Sequence, residues 1–272
     1  MQGIVPFIDT SLKIEYINKL LEVGFDTIDF GSFVSPKAIP QMSDTAKVLE
    51  GLRADTRSRL LVIVANERGA EEAALHERIS YLGFPLSISE TFQKRNTNKS
   101  ISEALNQLEV IKNICLRSGK KLVTYISMGF GNPYGDPYEV DVVMQFVDIL
   151  VTLGADVISL ADTVGVADSP SIEVLFAAVS KLFGEADIGV HLHSRAAGAR
   201  EKISAAYRGG CRRFDGALRG FGGCPMANDE LVGNIATETI VAFMESIGEK
   251  MDLDKKSLAE AMAIADRVFK TA

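Results

Sequence analysis

Apolar and polar positions along the chain fall into two rhythms that take turns. Residues 10–23 place Ile14, Ile17, Leu20 and Leu21 at helical spacing, with Thr10 or Ser11 as a cap and Gly24 as a stop. Residues 25–31 then run as a short strand. The same alternation repeats to the end of the chain. Strands are predicted at 59–66, 81–88, 120–130, 155–162, 186–193 and 211–218. Helices are predicted at 44–52, 68–79, 100–118, 138–152, 170–183, 196–208, 228–246 and 257–270. The proline-bearing stretch 32–42 and the polar stretch 89–100 read as loops. The run RLLVIVAN (59–66) is apolar without alternation, as expected of a strand covered on both faces.

A strand–helix alternation of this regularity predicts parallel strands joined by right-handed helical crossovers. Two architectures meet it, an open doubly wound sheet and an eight-stranded α/β barrel, the (β/α)8 TIM barrel. An early GxGxxG after a first strand, expected of a dinucleotide-binding sheet, is lacking. Polar residues gather at the strand C-terminal ends: Asp29, Asn66, Ser87, Asp162, His191, His193 and Arg219. A barrel brings all of those ends to one mouth, so the barrel is the expectation, as a single domain over 1–272. The pattern yields seven strands where eight are needed. The chain opens almost directly into a helix, and IVPFI (4–8) is short and broken by Pro6. Strand one is therefore expected to be missing.

Candidate chemistry concentrates between 186 and 238. Side chains alternate along a strand, so His191 and His193 point to one side and Val190 and Leu192 to the other. Two imidazoles on one face at a strand end make half of a metal site; the plain alternative is a pair of polar residues bonded to water or backbone. The third histidine, His76, reads as a packing or surface residue. Cys224 sits in GFGGCP, a flexible turn with a stiff exit. Such a thiol can act on a ligand if its pKa suits, or can merely fill the loop. Asp162 reads equally well as a cap or loop acceptor. Lys37, Lys94 and Arg95 are loop cations that could meet phosphates or simply be solvated.

Composition narrows the function classes. Apolar residues make up 47% of 272, enough for a full core, and the net charge is -7. Without a basic patch interleaved with aromatics, nucleic acid is not expected as a partner. Three cysteines make no disulfide framework and fit a reducing cytoplasm. No apolar run has transmembrane length, and the start lacks the basic region of a signal peptide, so no membrane partner is expected.

These segments together resemble the hydroxymethylglutaryl-CoA lyases, within the wider group of metal-dependent barrel lyases and acyl-CoA condensing enzymes. The likeness rests on GSFVSPKAIPQM (31–42), ISLADTVGV (158–166), VHLH (190–193), GFGGCP (220–225) and GNIATE (233–238), in that order. It implies that His191 and His193 are metal ligands, with Asn234 as a third near the metal. Cys224 then corresponds to the catalytic cysteine of a glycine loop. Asp29 falls where the lyases usually carry glutamate. The chain departs from the pattern at several points. The family's Arg-Asp pair, a substrate contact and a metal ligand, precedes the stretch aligned with Met1-Gln2. Ser194 and Arg195 follow the second histidine where aspartate is usual, and Met128 stands where cysteine is frequent.

The resemblance implies a divalent-metal-dependent carbon–carbon lyase that cleaves 3-hydroxy-3-methylglutaryl-CoA to acetoacetate and acetyl-CoA. Mg²⁺ or Mn²⁺ is the implied cofactor and an acyl-CoA the implied partner, with a homodimer and a cytoplasmic location as further expectations. The implied catalytic residues are Cys224, Asp29 and His191. Two other readings stand beside it: a related lyase or aldolase for another hydroxyacyl-CoA, and a truncated, non-catalytic barrel.

Overall fold

A computed structural model describes residues 1, 2, 4, 6–222 and 232–270. Its frame is a parallel sheet of seven strands in chain order: β1 (Thr27–Ser32), β2 (Arg59–Ile63), β3 (Ile79–Ser87), β4 (Lys121–Ser127), β5 (Val157–Asp162), β6 (Ile188–Leu192) and β7 (Phe214–Asp215). Each strand pairs with the next in parallel. Parallel neighbours need a crossover, and here helices supply it: α2 (Thr45–Gly51), α3 (Glu67–Ala74), α4 (Glu90–Thr97) with α5 (Ile101–Ser118), α6 (Val140–Leu153), α7 (Ser169–Leu182) and α8 (Ala196–Arg208), while α1 (Thr10–Val23) precedes β1 and α9 (Thr237–Ser246) and α10 (Lys255–Lys270) follow β7.

Period-two alternation divides the strands between two cores. Ile28, Phe30, Leu60, Val62, Leu82 and Phe84 face outward into a large layer shared with the helices. Leu61, Tyr81, Val123 and Val157 face inward and touch one another, with Ile63 and Tyr125 beside them. A second cluster inside four successive strands requires the sheet to curl on itself. Gly83 belongs to that interior: a Cβ there would meet Ile63 Cδ1 at 2.7 Å and Tyr125 Cε2 at 3.3 Å. The result is an incomplete α/β barrel, seven strands long, as the strand count predicted.

The open edges are β1 and β7, and they face each other. Arg213, just before β7, reaches Asp26, just before β1, with 3.9 Å between Nη1 and Oδ2. Outside this seam the helical shell closes. α10 packs on α1 through Tyr16 and Phe269, whose rings meet edge to face at 6.0 Å. Arg267 pairs with Glu15, and Lys19 with Glu260. Phe269 also stacks on Phe221 at 4.3 Å, so the last helix fastens the turn after β7 to the first helix.

Four elements depart furthest from the sequence prediction. The polar stretch 89–100 contains α4. Ser89 Oγ caps it by accepting from Phe92 N, and Asp136 accepts from both Thr91 N and Thr91 Oγ1. Phe92 and Gln93 are buried beneath it, so two residues in eight provide its inner face. α3 stops at Ala74, and 75–78 turn into β3, where the His76 ring packs on Phe33 at 5.4 Å. β7 is two residues long, paired with β6 at Phe214 and Asp215 alone. The helix expected over 228–246 begins only at Thr237. Residues 233–236 are extended, because Ser194 N bonds Gly233 O, Ile235 N bonds Leu192 O and Ala217 N bonds Ile235 O.

Candidate active site

β6 carries the first histidine on the inner face, and the second lies one step beyond its end. His191 pairs in register with Ala161 of β5 and Asp215 of β7. His193 bridges to Asn234 in an antiparallel pair. The two Nε2 atoms lie 3.3 Å apart, so the same-side prediction holds. Two nitrogens bound to one ion, each ~2.0–2.1 Å from it, would stand about 3.0–3.4 Å apart.

The second nitrogens differ in their surroundings. His191 Nδ1 lies 3.5 Å from Asp215 Oδ2, which also accepts from Ser159 Oγ at 2.9 Å. Burial presses the Asp215 carboxyl up, but His191, Ser159 and Arg213 outweigh it and the net shift is downward. Asp215 is thus an anion aimed at the Nδ1 proton of His191, which leaves Nε2 with its lone pair toward the site. His193 is buried, and its Nδ1 has no hydrogen-bond partner. Burial, then the charges of His191 and Lys202, push its pKa down to about 3, against weaker upward pulls from the Asn234 side chain and the Thr163 backbone, neither of which meets hydrogen-bond geometry. It is therefore a neutral imidazole near pH 7, the form that binds metals.

Asn234 joins them from the turn after β7. Its Nδ2 donates to Phe221 O at 3.0 Å, while Oδ1 is buried with no hydrogen-bond partner. The turn must be glycine-rich to permit this. Gly222 has φ +102°, and a Cβ there would meet Asn234 Nδ2 at 2.8 Å; a Cβ on Gly220, φ +67°, would meet Asn234 O at the same distance. Cys224 lies outside the described residues.

Asp29 sits on the inner face of β1, opposite β6 and β7. Loss of hydration is the main cause that raises its carboxyl to about 7; the Met1 amino group, the Gly31 N–H and His191 pull it down, and Asp215 pushes it up. The side chain is exposed at the mouth, so water offsets much of that loss, and the direction we rely on is upward. Tyr125 completes the floor, its ring edge-on to His191 at 5.8 Å, and burial drives its hydroxyl well above its ordinary pKa.

The donors present suit a divalent ion: two convergent imidazoles and an orphaned amide oxygen. They form a neutral set, and among the described residues no group of three His, Cys, Asp or Glu could enclose a metal. An ion held here would keep open positions for water or substrate.

The sequence reading brought His191, His193, Asn234 and Asp29 to one mouth, and the structure does so too. It missed Asp215, Ser159 and Tyr125. Their signal was present, since each lies on an inward-facing strand position, but nothing local separates them from core residues. Asp162 proves to be a loop acceptor: it is buried, accepts from Ala167 N at 3.2 Å and pairs with Lys202 at 2.8 Å. Met128 is buried in the helix-side core, with φ 59°. Of the loop cations, Lys94 pairs with Glu90 and Arg95 lies over the Tyr134 ring, while Lys37 is exposed.

Comparison with known proteins shows the family. The family model described as HMGL-like matches residues 2–265. Hydroxymethylglutaryl-CoA lyase YngG of Bacillus subtilis (strain 168) is 33% identical over 261 residues, 96% of this chain and 87% of that protein. The cytoplasmic 3-hydroxy-3-methylglutaryl-CoA lyase of Rattus norvegicus is 32% identical, over 96% of this chain and 76% of its own length. An HMG-CoA lyase from Acinetobacter baumannii, solved with coenzyme A and 3-methylmalate, superposes with a TM-score of 0.91. It is 30% identical, and the match covers 98% of this chain and 87% of that one. The carboxyl transferase domain of Rhizobium etli pyruvate carboxylase shares the fold alone, at 15% identity and a TM-score of 0.67. With a family match over nearly its whole length and relatives above 30% identity, the chain belongs to the HMGL-like family.

Proposed function

We propose that this chain is a divalent-metal-dependent carbon–carbon lyase that cleaves 3-hydroxy-3-methylglutaryl-CoA to acetoacetate and acetyl-CoA. The observation that carries the reading is the convergence of His191 Nε2 and His193 Nε2 beside the orphaned Asn234 Oδ1. These three would hold Mg²⁺ or Mn²⁺. When bound, the ion would lower the pKa of a substrate hydroxyl and fix its orientation.

The chain's own groups supply the proton chemistry. Asp29, with a proton affinity raised toward neutrality, accepts the tertiary hydroxyl proton directly or through water. The C–O⁻ electrons form the ketone of acetoacetate, the carbon–carbon bond breaks, and its pair passes into the thioester as an enolate. A proton must then reach the enolate carbon to give acetyl-CoA. Cys224 is our candidate donor; it recovers its proton from solvent, to which Asp29 releases the one it accepted. Asp215 keeps His191 in the tautomer that faces the site. Aspartate is one methylene shorter than the glutamate of the resemblance, and a ~1 Å change in reach is large for catalysis. Related hydroxyacyl-CoAs therefore belong in the same assay. Two buried free thiols, Cys115 and Cys211, suit the cytoplasmic setting we propose.

The test is the Cys224→Ala variant, followed by acetyl-CoA release. We expect turnover to fall about 10²–10⁴-fold with Mn²⁺ affinity unchanged. Equal turnover in the two proteins would remove Cys224 from the mechanism.

A further inference from the structure

Behind the histidine pair lies a charged network that the mechanism above does not use. Lys202, midway along α8, is buried and turned toward the barrel mouth. An ammonium has three N–H donors, and here all three find acceptors: Asp162 Oδ2 at 2.8 Å, His193 O at 2.8 Å and Gly165 O at 3.1 Å. Asp162 closes the network from the end of β5, where Ala167 N also bonds to its carboxylate. The turn held in this way begins with Thr163, whose Oγ1 accepts from Met128 N at 2.9 Å. Lys202 thus ties the exits of β5 and β6 together, with β4 joined through Thr163, and its contact at β6 is the main-chain carbonyl of His193.

From this geometry we propose that Lys202 is a positioning residue of the metal site. By clamping the His193 carbonyl to Asp162 and Gly165, it sets the direction in which the His193 ring presents Nε2 to His191. The inference rests on the two-histidine metal reading for its consequence, though not for its geometry. A buried ammonium so near a cation site is electrostatically unfavourable to the cation. A residue placed there serves the site through geometry, not through charge.

The test needs a variant that keeps the fold. Lys202→Met alone strands the buried Asp162 carboxylate, a costly defect. The double variant Lys202→Met with Asp162→Asn removes both charges while keeping an amide oxygen for Ala167 N. The chain has three histidines, so ¹⁵N-histidine labelling gives three pairs of ring signals, with His76, packed on Phe33, as an internal reference. In the metal-free double variant the His193 and His191 ring signals should move and those of His76 should not. Mn²⁺ affinity, measured by titration, should fall roughly 10–100-fold, as for other second-layer partners. Asp162→Asn alone, which leaves Lys202 on the His193 carbonyl, should shift both readouts much less. Unmoved ring signals and unchanged Mn²⁺ affinity in a folded double variant would overturn the proposal. So would failure of the double variant to fold, which would make the network scaffold only. If the rings move but neither protein binds Mn²⁺, the positioning role stands and the metal reading falls.

Discussion

His193 Nδ1 and Asn234 Oδ1 are buried without partners, and such groups are uncommon enough to need a reason. A metal site supplies one for the asparagine oxygen. Replacing His191 or His193 with alanine should abolish tight Mn²⁺ binding, measured by calorimetry; tight binding in either variant would contradict the assignment. Asp215→Asn keeps the shape but loses the anion that orients His191. Mn²⁺ affinity should drop about 10–100-fold, whereas a mere packing role would leave it unchanged. His193 also makes a pH prediction. Its folded pKa, about 3, lies below the ordinary value of 6.5. Below pH 6.5 the unfolded chain binds a proton that the folded chain does not, so this residue's contribution to stability is lost as pH falls from 6.5 toward 3. Asp29, raised above its ordinary value, acts in the opposite sense, because the folded state holds its proton longer. The comparison must therefore be with His193→Gln. Its urea-unfolding stability should fall less steeply than wild type between pH 6.5 and 4.5, by at most about 1.4 kcal/mol per pH unit for one proton. At this scale the sequence showed the histidine pair because period two is local information. Asp215 was invisible because its role comes from register across strands, which no single segment records.

The helices with a full apolar stripe were legible in the sequence. α8 falls on its predicted bounds, and α5 begins one residue later than predicted, behind a capping box of Ser100 and Glu103. Where tertiary contacts replace periodicity, legibility ended. α4 has a polar surface and owes its place to Ser89, Asp136 and two buried side chains. The extended run 233–236 borrows its hydrogen bonds from β6 and Ala217, partners that lie far from it in sequence. α10 offers the clearest energetic test of an element. Phe269 contacts both Tyr16 and Phe221 and is 9% exposed. Phe269→Ala should cost about 3–5 kcal/mol in urea unfolding. A cost under ~1 kcal/mol would show that α10 does not fasten the shell.

At the scale of the molecule, counting strands was enough to foresee both the barrel and its incompleteness, because each strand–helix unit announces itself in apolar rhythm. What counting could not show is how the helices close around an unclosed sheet, or that Asp29 faces His191 and Asp215 across the interior. No helix among the described residues is long and apolar enough to cross a membrane. The whole arrangement serves one claim: strand ends from across the barrel assemble a metal-dependent lyase site on two histidines. The most direct test is acetyl-CoA release from 3-hydroxy-3-methylglutaryl-CoA, with the protein expressed together with any in-frame residues upstream of Met1. With Mg²⁺ or Mn²⁺ present, the account predicts one acetyl-CoA and one acetoacetate per substrate. It also predicts loss of that activity in chelator and in His193→Ala. Undiminished cleavage by His193→Ala in excess chelator would contradict it, as would no cleavage by the unmutated, metal-loaded protein.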